Sequence, residues 1–244
     1  MIIKEVSIII PFFNEEKRAK KTIVTIKKFF KKKKSIKVEI IFVNDGSSDN
    51  TQFILESYLK KLLLKNHSIK FYKLAFNQGK GYAIKHGVEK SQYNWILMCD
   101  FDMSTKPDQL ILWTRNGFIG NINSAYFGSR THSNSKTQKK YHRLIFGKVF
   151  AILTNLLFSI NIKDTQCGFK LFHKSYALNI FKKLRSYRFV FDIDLILLLR
   201  NKKILIKELP VTWIHMPKSK LNIFIDGPAM FFNLISIKIN RNRL

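Results

Sequence analysis

The stretch that decides the predicted fold is Tyr93-Asn94-Trp95-Ile96-Leu97-Met98-Cys99-Asp100-Phe101-Asp102. Its apolar run is typical of a buried strand, and two carboxylates separated by one residue follow at the end of that strand. In open α/β sheets, ligands bind beyond the carboxyl ends of the strands, where this pair is expected to lie. Neighbouring carboxylates repel each other unless a positive group holds them. A divalent cation carrying a diphosphate meets that need, because Mg²⁺ takes one or two carboxylates together with phosphate oxygens. Taken alone, an Asp-x-Asp pair is equally well explained as a solvated turn.

Strands and helices alternate on both sides of this stretch. Predicted strands at 6–10, 38–43, 69–74 and 95–99 each lead into a polar loop, and helical patterns separate them. This alternation predicts an α/β fold with a mostly parallel, Rossmann-like sheet flanked by helices. Pro11 is expected to stop the first strand, and Asp49 to cap a second helix whose apolar face uses Phe53, Tyr58, Leu59 and Leu62. The second half is less regular, with a strand from Ala125, a polar loop over 131–140, helices over 141–160 and 189–200, a strand over 207–213 and a closing helix over 226–240.

Composition and charge narrow the function classes. The chain has 244 residues, 46% hydrophobic and 25% charged, which is ordinary for a folded domain, but its net charge of +28 is high. Such a charge attracts polyanions, either nucleic acid or an anionic membrane surface. A basic nucleic-acid-binding protein is therefore one alternative, although no nucleic-acid-binding motif is present and no specific nucleic acid is expected. The two cysteines, Cys99 and Cys167, show no metal-ligand spacing.

No segment is expected to cross a membrane. The apolar stretch 144–162 is interrupted by Lys148 and Asn155, and 221–239 contains Asp226 and Lys238. No signal peptide is expected, since the chain begins with strand-like sequence. The closing helix suits a membrane interface, although core packing explains its apolar residues equally well. We therefore expect a domain over 1–220, an amphipathic segment over 221–244, and peripheral attachment to the cytoplasmic face of a membrane.

Three loops, 11–15, 44–48 and 100–102, are expected to meet at one edge of the sheet. The first two offer carboxylate and amide groups suited to a base and a ribose, and the third offers a metal site for a diphosphate. No Gly-x-Gly-x-x-Gly follows the first strand, so the pattern favours a nucleotide sugar over a dinucleotide.

Several motifs resemble those of a known family. They are Pro11-Phe12-Phe13-Asn14-Glu15, Val43-Asn44-Asp45-Gly46-Ser47-Ser48-Asp49, Asn77-Gln78-Gly79-Lys80-Gly81 and Gly128-Ser129-Arg130. In this order they resemble the inverting GT-A glycosyltransferases of family 2, and within them the polyprenyl-phosphate sugar synthases. The segment Asp164-Thr165-Gln166-Cys167-Gly168-Phe169-Lys170-Leu171-Phe172 is similar to that of the dolichyl-phosphate glucosyltransferases. Two departures are Phe101, where the family usually has Ala, and Asp194, where it has Glu.

The resemblance implies a GT-A fold and a reaction. The expected reaction is the transfer of glucose from UDP-glucose to a polyprenyl (dolichyl or undecaprenyl) phosphate, with inversion and with Mg²⁺ or Mn²⁺ as cofactor. The alternatives within the same fold are another nucleotide sugar, such as GDP-mannose, or a glycan hydroxyl as acceptor.

The resemblance also assigns roles to individual residues. Catalytic roles fall to Asp102, Arg130, Asp192 and Asp194, and the metal is expected on Asp100 and Asp102. The nucleoside is expected on Pro11, Asn14, Glu15 and Asp45, and Asn14 and Glu15 also suit a helix cap. Arg130 and Arg143, with Lys220 as a weaker candidate, are expected to bind the acceptor phosphate. The remaining substrate-binding residues are Gly79, Lys80, Gln166, Gly168 and Lys170.

Asp192 and Asp194 lie in an otherwise apolar helix, where an unpaired carboxylate is costly to bury. They are expected either to face the site or to bind Arg or Lys from a neighbouring element. A phosphate monoester has its second pKa near ~6 and is largely anionic at neutral pH, so it needs little help from a base. Stabilisation of the departing diphosphate is expected to be the larger effect, whereas a hydroxyl acceptor would require a base.

Overall fold

The computed structural model describes residues 2–32, 36–60, 62, 67–138, 150, 152–188, 190–216 and 223–241. Strands and helices alternate through the first half and are mixed in the second. In chain order the elements are β1 (Glu5–Phe12), α1 (Glu16–Lys32), β2 (Lys37–Asn44), α2 (Thr51–Leu59), β3 (His67–Lys73), α3 (Lys80–Glu89), β4 (Trp95–Met98), α4 (Asp108–Arg115), β5 (Ser124–Ser129), β6 (Lys136–Gln138), α5 (152–158), β7 (Lys170–His173), α6 (Lys174–Lys182), α7 (Phe191–Asn201), β8 (Leu205–Pro210), β9 (Thr212–Ile214) and α8 (Ile223–Arg241).

The main sheet has seven strands in the order β3-β2-β1-β4-β7-β5-β8. Strand β7 is antiparallel to both of its neighbours, and the other pairings are parallel. The predicted α/β fold with a mostly parallel sheet is confirmed. Because β7 runs the opposite way, its first residue, Lys170, lies at the same edge as the carboxyl ends of β4 and β5. Its register partners there are Met98 and Phe127.

Helices cover both faces of the sheet, and the alternation of β1 shows how. Ile8 and Ile10 belong to the core under α1, α2 and α4, while Ile9 belongs to the core under α3, α6, α7 and α8. All three isoleucines are fully buried, as expected for a central strand with period-two side chains. The two cores lie on the faces of the sheet, and the loops lie at its carboxyl edge.

Some local predictions are wrong. Strand β1 continues through Pro11, which is in register with Val43 of β2, so proline does not stop it. The predicted strand over 207–213 is two strands in different sheets, because β8 ends at Pro210 and β9 pairs with β6. Strand β6 in turn lies inside the segment predicted to be a polar loop over 131–140.

The predicted apolar face of α2 is right for Leu59 and Leu62, which belong to or pack against the core, and wrong for Phe53 and Tyr58. Phe53 and Tyr58 are 74% and 58% exposed, whereas Leu55 and Leu59 are buried. Leu55 and Leu59 are four residues apart, so they lie on the same side of the helix, and the large aromatic side chains lie on the solvent side. The assigned N-cap is Asn50, not Asp49, although Asp49 Oδ1 still accepts a hydrogen bond from the backbone N–H of Thr51.

Helix α8 joins the core through Leu234 and Ile237, which are buried, while Phe232 and Ile239 are 69% and 49% exposed. Core packing therefore accounts for one side of this helix only. Within the described ranges, no helix has the length and hydropathy needed to span a bilayer. Residues 141–149 of the predicted helix over 141–160 lie outside the described residues.

Candidate active site

The carboxyl edge of the sheet brings together loops from both halves of the chain. The loops after β1, β2 and β3 form one side, which we call the amide half, comprising residues 13–16, 44–50 and 74–79. The loops after β4 and β5, with Lys80 at the start of α3, segment 164–170 and the start of α7, form the other side, which we call the ionic half. Parallel strands end at the same edge, and this is why residues far apart in sequence meet there.

Asn14 ties the first two loops of the amide half together. Its backbone lies in the left-handed region, with φ of 50°. Its side-chain Oδ1 accepts hydrogen bonds from the backbone N–H groups of Ser48 at 2.8 Å and Asp49 at 3.3 Å. In return, the Asn14 N–H donates to Ser47 Oγ at 2.9 Å. Asn14 therefore connects the two loops in addition to any contact with a nucleoside.

Glu15 precedes α1, and its backbone carbonyl accepts from the N–H groups of Arg18 and Ala19. The predicted capping role of Glu15 thus falls to its backbone, while its carboxylate forms an ion pair with Arg18 at 3.2 Å. The Glu15 N–H donates to Thr51 Oγ1 at 2.8 Å, which fastens the start of α1 to the start of α2. The two loops expected to hold a nucleoside are thus held together by hydrogen bonds, including those from the Glu16 N–H to Asp49 Oδ2 at 3.1 Å and from the Asn50 N–H to Glu16 Oε2 at 3.2 Å.

Asp45 joins the third loop to the second. Its carboxylate is buried and accepts hydrogen bonds from the side-chain amide of Asn77 and from the backbone N–H groups of Gln78 and Gly79, all within 2.9 Å. Burial raises the pKa of Asp45 above its ordinary value, and these hydrogen bonds and the charge of Arg188 offset only part of that effect. Gly79 has φ of 101°, a backbone conformation that favours glycine.

Asp100, at the end of β4, is paired with Lys80 from the start of α3. Lys80 Nζ lies 2.5 Å from Asp100 Oδ1, and both side chains are more than a third exposed. Burial opposes ionisation of Asp100, yet the Lys80 charge holds the pKa of this carboxyl below its ordinary value. The charges of Asp100, Asp192 and Asp102 together raise the pKa of Lys80 against the effect of burial. Lys80 is therefore a fixed cation among three carboxylates.

Asp102 is the better placed of the two expected metal ligands. Within the described residues it receives one hydrogen bond, at Oδ1 from the backbone N–H of Ser104 at 2.9 Å. Across the same ranges, no group of three or more His, Cys, Asp or Glu side chains is arranged to hold a metal ion. Asp102 and Asp100 suit a cation that takes its other ligands from phosphate and water, as Mg²⁺ does. They do not suit a cation held wholly by protein side chains.

Arg130, after β5, is held by a buried carboxylate. Its Nε and Nη2 donate to Asp164 Oδ2 and Oδ1 at 2.8 and 2.7 Å, and its backbone N–H also donates to Oδ2. Burial works against the charge of Asp164, but Arg130 holds the pKa of this carboxyl below its ordinary value. The two-pronged contact fixes the plane of the guanidinium. Arg130 is also close enough to Asp100 for their charges to interact.

Lys170 is fully buried, which is rare for lysine and requires partners for its charge. Its ammonium donates to Thr165 O at 3.1 Å and forms an ion pair with Asp192 at the start of α7. Its ammonium also lies 4.9 Å from the ring centroid of Phe127. Burial raises the pKa of Asp192 above its ordinary value, while Lys170 acts in the opposite direction. Lys170 therefore lies in the core and compensates the charge of Asp192 from there.

Asp194 has different partners from Asp192. Its Oδ2 accepts hydrogen bonds from the backbone N–H groups of Arg185 and Ser186, at 2.9 and 3.1 Å, in the loop between α6 and α7. Of the two expectations for this acidic pair, Asp192 shows the pairing with a neighbouring lysine. Asp194 binds backbone groups, which neither expectation included.

Segment 164–170 contributes two further features to the edge. Gln166 has a buried side-chain Nε2 with no hydrogen-bond acceptor in the part of the chain that the structure describes. A buried donor without an acceptor is costly, so this atom suits a ligand oxygen. Gly168 packs directly against the Asp100 carboxylate, and a Cβ at this position would overlap both carboxylate oxygens. Glycine is required there because any side chain would displace Asp100.

The remaining predicted residues have mixed outcomes. Pro11 lies inside β1 and is buried, and Arg143 and Lys220 lie outside the described residues. Sequence reasoning did not identify Asp164 or Arg188 as members of the site. The signal for Asp164 was its position at the start of segment 164–172, which resembles the family, but its pairing with Arg130, 34 residues away, is not visible in the sequence. No local pattern marks Arg188, which is distant from Asp45 in the sequence and whose charge lowers the pKa of the Asp45 carboxyl.

Comparison with known proteins agrees with this architecture. The family described as glycosyl transferase family 2 matches residues 7–181. The chain is 34% identical over 245 residues to a dolichyl-phosphate beta-glucosyltransferase of Dictyostelium discoideum, covering 95% of this chain and 73% of that relative. It is 32% identical over 252 residues to the Homo sapiens enzyme of the same name, covering 97% and 75%.

Among solved structures, glucosyl-3-phosphoglycerate synthase from Mycobacterium tuberculosis, in complex with phosphoglyceric acid, has a TM-score of 0.66 to this chain. The identity is 14%, and the alignment covers 98% of this chain and 80% of that one. This likeness extends to the fold alone.

Proposed function

The chain belongs to glycosyl transferase family 2, and from this we propose that it transfers glucose from UDP-glucose to the phosphate of a polyprenyl lipid such as dolichyl phosphate. The observation that carries the proposal is the similarity, at 32–34% identity over 95–97% of the chain, to two enzymes named for that reaction. Because the similarity extends through segment 164–172 and the second half, it includes the side of the site where an acceptor would bind.

The carboxylates at the end of β4 support the donor part of the proposal. Asp102, with Asp100 behind it, would hold Mg²⁺ or Mn²⁺, which when bound neutralises charge on a departing diphosphate. The charge of Lys80, 2.5 Å away, holds the pKa of Asp100 below its ordinary value and so keeps this carboxylate ionised. Lys80, together with the backbone around Gly79, is positioned to contact the diphosphate. The amide half, with Pro11, Asn14, Glu15 and Asp45, is the proposed nucleoside side.

The cations of the ionic half support the acceptor part. Arg130 is oriented by Asp164 and is the described residue that we assign to the acceptor phosphate, with Arg143 and Lys220 as further candidates. Gln166, whose Nε2 lacks an acceptor within the described residues, and Gly168 border the same region. A phosphate oxygen attacks the anomeric carbon as the bond from that carbon to the diphosphate breaks on the opposite face. The configuration therefore inverts, from an α-linked donor to a β-linked lipid phosphate.

No proton has to be removed in this step, because the attacking phosphate oxygen is already anionic. Asp192, paired with buried Lys170, then acts by shaping the charge around the site rather than as a base. Asp194 accepts hydrogen bonds from the loop between α6 and α7 and positions that loop. A glycan hydroxyl as acceptor would need a base, and Asp192 would be the candidate for that role.

A polyprenyl phosphate is held in a membrane by its hydrocarbon chain, so the proposed reaction requires the enzyme to contact a membrane. We propose peripheral attachment at the cytoplasmic face, through basic surface and the exposed side of α8. The net charge of +28 supports attraction to an anionic surface. High salt should release such a protein from membranes, and resistance to both high-salt and alkaline washes would contradict this mode of attachment.

Transfer of radiolabelled sugar to a short polyprenyl phosphate tests the proposal directly, with UDP-glucose and GDP-mannose as parallel donors. We expect product from UDP-glucose that depends on a divalent cation. Asp102→Ala should lower turnover by about a thousandfold, as expected when a group that stabilises leaving-group charge is lost. Asp108→Ala, which removes a carboxylate from the first turn of α4, is the matched control and should retain activity.

Other outcomes would change particular parts of the proposal. Product from GDP-mannose alone would overturn the assigned sugar. If neither donor gives product but UDP with the metal raises the melting temperature, the assigned acceptor is wrong. Asp192→Asn also leaves buried Lys170 without its anion, so loss of transfer would show that Asp192 acts as a base only with donor binding and melting temperature unchanged.

A further inference from the structure

A second basic site adjoins the sheet edge. A cleft of about 1120 Å³ opens between the end of α6 and the loop that follows it, α7, Lys85 of α3 and one side of α8. It is larger than the ~300–1,000 Å³ typical of small-molecule pockets, and it is open to solvent. None of the residues predicted to bind the donor lines it, and its one acidic lining residue is Asp194.

Five cationic side chains line the cleft, namely Lys85, Lys182, Lys183, Arg185 and Arg188. Among the described lining residues, Asp194 is the one carboxylate, and it offsets only one of these five charges. Lys85 is held over the loop by Lys182 O at 3.2 Å and Tyr187 Oη at 3.4 Å. The lining charge is therefore strongly positive, and several of these cations are solvent-exposed, so the cleft complements an anion that enters from solvent.

The solvent face of α8 supplies a second, independent feature. Asn233, Ser236 and Ile237 line the cleft, and on the neighbouring solvent face Phe232 is 69% exposed and Ile239 is 49% exposed. Phe232 and Ile239 are seven residues apart, so they lie on one face of the helix, opposite the buried Leu234 and Ile237. Large apolar side chains on the solvent face of an amphipathic helix are typical of a helix that lies in a membrane interface.

Helix α5, which contacts α8, adds to this surface. Lys238 of α8 donates to Leu157 O at 2.6 Å and lies over the ring of Phe158. On the outer side of α5, Ile152 and Leu156 are 59% and 77% exposed and are four residues apart. Two neighbouring helices thus both present large apolar side chains to solvent.

We propose that this cleft binds the headgroup phosphate of an anionic membrane phospholipid, with Phe232 and Ile239 inserted among the acyl chains. The positive lining complements the phosphate, and the exposed apolar face complements the hydrocarbon. This inference deepens the membrane attachment in the proposed function and assigns it to a site separate from the acceptor phosphate. The loop is also connected to the active site, because Tyr187 O accepts a hydrogen bond from the backbone N–H of Gly81 at 2.7 Å.

Binding to vesicles tests the inference without donor or acceptor, so the result does not depend on the proposed reaction. Vesicles of phosphatidylcholine are compared with vesicles that also contain phosphatidylglycerol, and bound protein is measured by co-sedimentation. The variant Lys182→Ala/Lys183→Ala/Arg185→Ala removes three exposed cleft cations. We expect it to bind the anionic vesicles roughly a hundredfold more weakly, since each cation near an anionic surface contributes several-fold.

A matched variant separates this site from the general charge of the protein. Lys20→Ala/Lys28→Ala/Lys31→Ala removes the same charge from exposed positions on α1, across the sheet from the cleft. It should bind the anionic vesicles within about twofold of the unmodified protein if the cleft faces the membrane. Equal loss in the two triple variants, or no loss in the cleft variant, would overturn the inference.

Two further measurements test the apolar part and the source of the phosphate. At low salt, Phe232→Ser/Ile239→Ser should bind the anionic vesicles several-fold more weakly than the unmodified protein, and unchanged binding would count against insertion of α8. If inorganic phosphate raises the melting temperature of the unmodified protein but not of the cleft variant, and vesicle binding is unchanged by the cleft substitutions, the ligand is a soluble phosphate instead. Melting temperatures and transfer to a short acceptor in solution show whether each variant is folded. The cleft variant should retain that transfer.

Discussion

The amide half and the ionic half of the sheet edge are built on different physical principles. In the amide half, hydrogen bonds from backbone N–H groups to the side chains of Asn14 and Asp45 tie three loops together, and no cation takes part in these hydrogen bonds. In the ionic half, three ion pairs, Lys80–Asp100, Arg130–Asp164 and Lys170–Asp192, perform the same task. Hydrogen bonds from backbone N–H groups hold the loops of the amide half, and ion pairs between side chains hold those of the ionic half.

This difference suits the two proposed partners. A nucleoside is largely neutral and requires loops of defined shape, whereas a diphosphate and a lipid phosphate bring negative charge that requires fixed cations. It also predicts unequal responses to mutation. Losing one member of a buried ion pair leaves an uncompensated charge, whereas losing one neutral hydrogen bond has a smaller effect.

The largest expected effect is on the buried pair of the ionic half. Lys170→Met should lower the free energy of unfolding by about 3–5 kcal/mol, because Asp192 is left buried without a cation. The measurement is urea unfolding at neutral pH. As a control, Lys60→Met breaks the exposed pair with Glu56, for which we expect a change of at most about 0.5 kcal/mol.

A double variant shows whether the charge is the cause. Lys170→Met/Asp192→Leu removes both charges and should recover most of the stability that Lys170→Met loses. If the double variant is as unstable as the single one, packing around Lys170 dominates and the contrast between the two halves is weaker than described.

The next largest effect is expected at the contact between Gly168 and Asp100. Gly168→Ala places a Cβ where the Asp100 carboxylate lies, so the carboxylate must move. We expect kcat/KM for sugar transfer to fall by roughly tenfold to a hundredfold, as for other displacements of a positioned group by about 1 Å. Gly120→Ala is the matched control, because a Cβ there meets nothing within 4 Å, and it should have unchanged activity.

The corresponding change in the amide half should be smaller. Asn14→Ala removes the hydrogen bonds to Ser48 and Asp49 and places alanine at a φ of 50°, so we expect a loss of about 2 kcal/mol in unfolding free energy. Asn14→Gly keeps the backbone conformation and should lose only about half as much. Equal losses in the two variants would mean that backbone strain contributes little at this position.

The smallest expected effects are on the pH dependence of stability, and they have opposite signs in the two halves. Asp164 has a lowered pKa, so its contribution is present above the ordinary aspartate pKa and is lost as pH falls through the lowered value. Asp45 has a raised pKa, so its contribution is lost as pH rises through that value. With rising pH, the stability difference between the unmodified protein and Asp164→Asn should grow, and that for Asp45→Asn should shrink. Urea unfolding across the acidic range measures both slopes, and slopes of the same sign would contradict the assigned shifts.

Much of the fold was predictable because it depends on local patterns. The apolar runs of β1, β2 and β4 are short, continuous and followed by polar loops, and this pattern indicates buried parallel strands. The errors occurred where a distant partner decides the outcome. Leu55, and not Phe53, faces the core because of how α2 lies on the sheet, and β9 separates from β8 because its partner is β6.

The sequence by itself determined that the loops after the first, second and fourth strands meet at one sheet edge and which carboxylates follow β4, because alternating strands and helices run parallel and end at the same edge. Only the tertiary structure decided how the charges pair. Lys170 reaches Asp192 because β7 is inserted antiparallel between β4 and β5, and Lys80 reaches Asp100 across the sheet edge. Ion pairs form between residues that are distant in sequence, and their energies depend on burial and separation, which no local pattern contains.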